Sequence, residues 1–201
     1  MLKVDLGHLG QYSDVVHTRR GEAVLLRFAE PADAEELQVY IRGLSSGSRY
    51  RRFLGAMSEL PGNLLDDFVR VGKDDRYSLI ATMEIDGVEV IVGEVRYAFH
   101  PENGGVEFGL SVQDRWQGHG IGPALLDNLQ CRAAALGAHT LFGDTLRSND
   151  VMIAVAKKSG YVLRRHPDDW KLVRFEKPVM QGTRGNPCAS LRLAAVDGTA
   201  A

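Results

Sequence analysis

A chain of 201 residues with 44% hydrophobic and 25% charged residues is long enough for one domain with a buried core. Its net charge of −2 and pI near 6.3 exclude the basic excess of a nucleic-acid binder. There is no long uncharged apolar run, and Met1 to Gln11 lacks the build of a signal peptide, so a cytoplasmic protein without membrane contact is expected.

Residues 1–20 lack clear periodicity and read as an N-terminal extension, 21–178 as one folded domain, and 179–201, rich in Gly, Ala, Thr and Asn, as a flexible tail. Ala23 to Phe28 reads as a first strand. Pro31-Ala32-Asp33 opens a helix with Ala34, Leu37 and Ile41 on one stripe, closed by Gly47. A second helix is expected from Asn63, as its N-cap, to Val69. Tyr77 to Ile85 and Val88 to Phe99 flank Asp86-Gly87, a hairpin signature, and Asn103-Gly104 turns the chain into Val106 to Val112. Ala124 to Leu136 is helical, with Leu125, Leu129, Ala133 and Leu136 on one stripe and Gly137 as C-cap. Thr140 to Thr145 is a strand and Asn149 to Ser159 a helix. Tyr161 to Leu163 and Trp170 to Phe175 supply the last strands. This order describes an α/β (α+β) fold, a mixed and mostly antiparallel sheet flanked by helices.

Cys131 and Cys188 stand far apart, with neither a disulfide framework nor metal-ligand spacing, so a reduced protein is expected. His8, His17, His100, His139 and His166 show no metal spacing either, and no metal site is expected.

The most informative run is Gln117-Gly118-His119-Gly120-Ile121-Gly122, between a strand and a helix. Glycine lets the backbone approach an anion and reach positive φ, and the following helix start offers unpaired N–H groups and a positive dipole end. A dinucleotide-binding G-x-G-x-x-G would meet Pro123 where its third glycine belongs, and should follow the first strand of a parallel unit. A phosphate loop ending in Gly-Lys-Ser/Thr fails at Pro123-Ala124. The pattern Gln/Arg-x-x-Gly-x-Gly/Ala fits at Gln117, Gly120 and Gly122.

With that motif in this element order, the chain resembles the GNAT superfamily of N-acetyltransferases from about Ala23 to Lys177. The resemblance implies that main-chain amides of Gln117, Gly118, His119, Gly120, Ile121 and Gly122 grip the pyrophosphate of acetyl-CoA. It also implies that main-chain groups of Leu110 and Val112 hold the acyl-pantetheine arm, and that Asn149 contacts it. Asn149 also suits a helix N-cap. Pro123 departs from the pattern by removing one donor, although proline is tolerated in a first helical turn.

Acyl transfer to an amine needs a base, because an alkylammonium with a pKa near ~10.4 is almost never nucleophilic at neutral pH. Glu107 shares a strand face with Gly109 and Ser111, which leaves room for a substrate, and Glu94 is the reserve candidate. The family's catalytic glutamate often lies at the position of Glu107. Its general-acid tyrosine would fall at Ala156, five residues before Tyr161, and is absent. Leu44 to Phe53 resembles a segment of bacterial protein lysine acetyltransferases. The expected acceptor is therefore a protein lysine, with a small-molecule amine or a non-catalytic acyl-CoA sensor as alternatives and a second copy of the chain as a compatible partner. Arg49, Arg51 and Arg52 read as a solvated helix face.

Overall fold

The computed structural model describes residues 3–180 and 188–198. Its eight strands are β1 (Asp14–His17), β2 (Ala23–Phe28), β3 (Arg76–Ile85), β4 (Val88–His100), β5 (Gly105–Val112), β6 (Thr140–Leu146), β7 (Val162–Arg165) and β8 (Leu172–Pro178). They form one sheet in the order β1-β2-β3-β4-β5-β6-β8-β7. Every pairing is antiparallel except β5 with β6. The six α-helices are α1 (Ala34–Gly43), α2 (Ser46–Phe53), α3 (Gly62–Val69), α4 (Ile121–Ala135), α5 (Asp150–Lys158) and α6 (Ala189–Gly198). No helix among the described residues is long and apolar enough to cross a membrane.

Two cores cover the two faces of the sheet. One gathers Val95, Tyr97, Val106 and Phe108 from the strands with Leu125 and Leu129 of α4. The other sets Leu37 and Ile41 of α1 and Phe68 of α3 against Ile80 and Ile91. β3 is therefore buried on both faces, and its sequence alternates in residue type far less than an edge strand would. Asp86 and Gly87 both take positive φ (54° and 77°), the conformation that a two-residue hairpin turn requires.

A register shift interrupts the β3–β4 ladder, where Ala81 pairs Gly93 but Thr82 pairs Ile91. This extra residue changes which side chains share a face. Ile91 and Glu94 are three apart and would point oppositely in a regular strand. Here Ile91 joins the α1–α3 core, and Glu94 bonds to Arg52 of α2 on the same side. Hydrophobic alternation alone gives no warning of such a bulge.

The expected element order is present, with corrections at its joints. Gly47 does not close a helix but lies inside α2, whose N-cap Ser45 accepts from the Ser48 amide. Asn63 is not the cap of α3, which begins at Gly62 behind Pro61. α4 starts at Ile121, three residues before the expected Ala124, because Gly120 at φ 97° turns the chain directly into the helix.

Both chain ends carry structure that periodicity did not reveal. Within the expected extension, β1 pairs β2 and Tyr12 is buried. Within the expected flexible tail, α6 packs on α4, and Cys188 is joined to Cys131 in a disulfide, which corrects the expectation of free thiols. Residues 181–187 and 199–201 of that tail lie outside the described residues.

Arg132 of α4 is the clamp, with its side chain 1% exposed. It donates to Asn128 Oδ1 at 2.7 Å, Ser190 Oγ at 3.2 Å, Asp14 Oδ2 at 3.3 Å and the Tyr12 carbonyl. Its guanidinium also lies 4.8 Å from the Phe28 ring centroid. Removing one member of a buried ion pair leaves its partner uncompensated and typically costs about 3–5 kcal/mol. Arg132→Ala is therefore expected to lower unfolding stability by about 3–5 kcal/mol in urea titration, whereas a loss below ~1 kcal/mol would mean the ends do not depend on this clamp.

Candidate active site

The β5–β6 ladder covers only Gly105 to Glu107 on β5, ending where Glu107 pairs Phe142. Beyond it the strands part, and the rest of β5 presents main-chain groups to a gap. The Phe108 carbonyl points towards β6, since a Cβ built on Gly143 would lie 2.7 Å from it. Main-chain groups repeat their direction every second residue, so those of Leu110 and Val112 face the gap as well. The Val112 carbonyl accepts from Gln117 Nε2 at 3.1 Å, which leaves the Leu110 N–H and carbonyl as the strand-like pair facing the opening.

The gap widens into a cleft of about 670 Å³, within the usual range for a small-molecule site. Leu110, Val112, Gln117, Gly118, Gly120, Gly122 and Asn149 all line it. His119 and Ile121 turn their side chains elsewhere: His119 Nδ1 lies 3.1 Å from the Gln117 carbonyl, and Ile121 is buried in the core. The part that these two residues can offer the cleft is main-chain only.

The loop itself has the geometry of an anion cradle. Gly118 and Gly120 take φ of 80° and 97°, where a side chain would be strained. Ile121 and Gly122 hold the first N–H groups of α4, which have no acceptor within the helix. No acidic residue stands in that first turn to oppose an anion. Pro123 falls where the helix would leave its N–H unpaired in any case.

Asn149 does two things at once. Its side chain accepts from the Met152 amide at 3.3 Å, capping α5, and its Nδ2 donates to Thr145 Oγ1 at 2.9 Å. It is thus fixed on the cleft wall. Ala156, at the position where the family places a tyrosine, is fully buried, and Tyr161 packs its ring against Phe108 and Phe175. Burial holds the Tyr161 hydroxyl well above the ordinary tyrosine range.

A second cleft of about 470 Å³ opens on the α2–α3 face of the same strands, lined by Glu107, Arg96, Phe68 and His166 among others. Arg52, Phe108, Gly109 and Asp144 line both clefts, so the two meet at the parting of β5 from β6. Glu107 stands in the second cleft, with its side chain 54% exposed and Oε2 at 3.5 Å from His100 Nε2.

Glu94 has a different setting, 1% exposed and wholly engaged. It accepts from Arg52 at 2.5 and 3.0 Å and from Ser111 Oγ at 2.6 Å. Ser111 spends its proton on Glu94, so the Tyr40 hydroxyl donates to Ser111 across 3.0 Å. Burial opposes the charge of Arg52, but the adjacent Glu94 carboxylate more than offsets this and holds the guanidinium above its ordinary pKa. Arg52 is therefore a buried ion-pair partner, which corrects its reading as part of a solvated face. Arg49 is likewise committed, donating to the carbonyls of Met57, Arg42 and Leu44. The space expected beside Gly109 is occupied as well, since a Cβ there would meet Arg52 Nη1 at 2.8 Å.

α2 is held over the junction by Asp114, which accepts from the Ser45 amide at 2.9 Å and from the Ser45 and Ser48 hydroxyls, each at 2.8 Å. Burial tends to raise the Asp114 pKa, and these donors overcome it, leaving the carboxyl below its ordinary range.

Sequence reasoning also missed Arg19, which lies in the stretch read as an extension. Its amide donates to the His119 carbonyl at 2.9 Å, and its side chain crosses Gly120 at the cleft edge. Nothing in the local pattern reveals it, because the contact depends on β1 joining the sheet. A cation there suits a phosphate. Arg19→Gln is expected to weaken coenzyme A binding by about three- to tenfold in calorimetry with thermal stability unchanged, and an unaltered Kd would remove Arg19 from the site.

Comparison with known proteins fits this arrangement. Residues 39–161 match the model of the acetyltransferase (GNAT) family. An acetyltransferase of Pseudomonas aeruginosa is 30% identical over 149 residues, covering 74% of this chain and 80% of the relative. The crystal structure of the GNAT domain of the S. lividans protein PAT superposes with a TM-score of 0.76 at 26% identity, covering 88% of this chain and 99% of that one. A spermidine N-acetyltransferase from Vibrio cholerae, solved with coenzyme A and spermine, shares the fold at a TM-score of 0.64 and 12% identity, covering 78% and 95%. The chain belongs to the GNAT family of acetyltransferases and is an acyltransferase that uses acetyl-CoA.

Proposed function

We propose that the protein transfers an acetyl group directly from acetyl-CoA to a primary amine, a protein lysine, with Glu107 as general base. The observation that carries this reading is the meeting of the two clefts at Phe108 and Gly109, with an accessible carboxylate, Glu107, on the side away from the glycine-rich loop. The loop at Gln117 to Gly122 and the edge of β5 at Leu110 and Val112 would hold the donor in the first cleft, leaving the second to the acceptor. Asn149 would border the pantetheine arm.

The acceptor arrives as an ammonium and must lose a proton before its nitrogen can form a bond. Glu107 takes that proton, the freed lone pair forms the nitrogen–carbon bond, and a main-chain N–H of β5 faces the oxygen that gains charge. The nitrogen then releases its second proton to solvent as the carbon–sulfur bond breaks and the thiolate leaves. With alanine at position 156, solvent supplies the proton it takes up. Of the two glutamates considered, Glu107 is exposed, whereas Glu94 is sealed against Arg52 and Ser111. The reserve candidate is thus better suited to holding Arg52 in place than to exchanging protons with a substrate.

The lining of the second cleft bears on the acceptor class. Arg52, Arg76, Arg96 and His166 stand there beside the carboxylates Glu107 and Asp144. Asp144 is already paired by Arg174 at 2.8 Å. A polyamine, with several positive charges, meets unfavourable charge in such a cleft, which favours a lysine on a protein over that small-molecule alternative.

Glu107→Gln is expected to lower kcat/KM for amine acetylation at pH 7–8 by about 10²- to 10⁴-fold, with coenzyme A affinity unchanged. Unchanged turnover would show that the base is elsewhere. Screening labelled acetyl-CoA against proteins and against free amines by mass spectrometry distinguishes the two acceptor classes. Tight acetyl-CoA binding without transfer to either would favour the sensor reading.

A further inference from the structure

The second cleft contains a positive charge that the transfer reaction does not use. Arg96, on β4, lies with its guanidinium 4.4 Å from the centroid of the Phe68 ring. Among the described residues it has no carboxylate within ion-pair distance, although the charges around it are paired. Arg52 is held by Glu94 at 2.5 Å, and the nearby Asp67 is taken by Lys73 at 2.9 Å. Arg76, on the neighbouring strand, has only the exposed Asp74 at 3.6 Å. Burial opposes the charge of Arg96 and, with Arg52 and Arg76 close by, lowers its pKa.

The register fixes where this charge stands relative to Glu107. Arg96 pairs Gly109 and Ala98 pairs Glu107, so Arg96 and Glu107 are diagonal neighbours on one sheet face, with Cβ atoms about 7–8 Å apart. The ring of Phe68 covers one side of the guanidinium, and its N–H groups remain for a bidentate carboxylate. In an extended peptide, side chains two residues apart are separated by about 6.6 Å. A peptide with its lysine at Glu107 would therefore bring the side chain two positions away to Arg96, since the one between points to the opposite face.

We propose that Arg96, lying against Phe68, is the seat for an acidic side chain flanking the target lysine, so that the protein selects lysines with Asp or Glu two residues away. The proposal rests on the lysine reading above and adds a specificity determinant to it.

Matched lysine peptides test it, with Glu or Gln placed in turn two residues to either side of the lysine. Initial acetylation rates are measured, together with binding of the same peptides carrying norleucine for lysine, in the presence of coenzyme A. The wild type is expected to favour a Glu form by about tenfold in kcat/KM and in binding, the scale of one charge-assisted hydrogen-bonded contact. Arg96→Gln should remove that preference while leaving the KM for acetyl-CoA unchanged, and Arg96→Lys should restore part of it. Equal treatment of Glu and Gln forms by the wild type overturns the proposal, as does a preference that survives Arg96→Gln. If no peptide is acetylated but the Glu form still binds more tightly through Arg96, the lysine reading fails and the anion seat stands.

Discussion

The early end of the β5–β6 ladder is the constraint on which the rest of the site depends. Two parallel strands that stayed paired beyond Glu107 and Phe142 would leave no gap, and the main-chain groups of Leu110 would be used within the sheet. Because the strands part there, one edge stays open beneath the glycine-rich turn that starts α4. The first cleft, its junction with the second and the place of Glu107 beside that junction all follow from that separation. α4 packs closely on β4 beside it: a Cβ on Gly93 would lie 3.3 Å from Leu125 Cδ1.

The opening is backed by polar groups that a hydrophobic core would not supply. The chain from Tyr40 through Ser111 and Glu94 to Arg52 links α1, β5, β4 and α2 beside the junction. A fully bonded buried network of this kind fixes orientation more than it adds net stability. Here it places one guanidinium, that of Arg52, over Gly109, where both clefts meet. The neighbouring Arg96 lacks such a partner among the described residues, and the contrast between the two arginines is the basis for proposing an anion on the acceptor.

Much of this was legible in the residues. The hairpin at Asp86-Gly87, the meander into Val106 to Val112 and the turn from Gln117 to Gly122 have local signatures, and the structure has elements at all three. Contacts distant in sequence were hidden. Arg132 looks like an ordinary charged helix residue until Tyr12, Asp14 and Ser190 surround it. Arg52 looks solvated until the bulge in β4 turns Glu94 towards it. Arg19 and the Cys131–Cys188 bond likewise required knowing that both chain ends return to the sheet and α4. Local pattern singled out the glycine-rich loop, whereas the charges lining the second cleft depend on tertiary packing.

Hydrogen exchange at single-residue resolution, with and without coenzyme A, tests the central claim most directly. If the parted edge of β5 receives the pantetheine arm and the turn holds the pyrophosphate, the Leu110 amide and those of Gly118 to Gly122 gain protection on binding. The amides of β7 and β8, remote from the gap, should change little. Tight binding that leaves Leu110 and the turn unchanged while protecting another region would contradict the account.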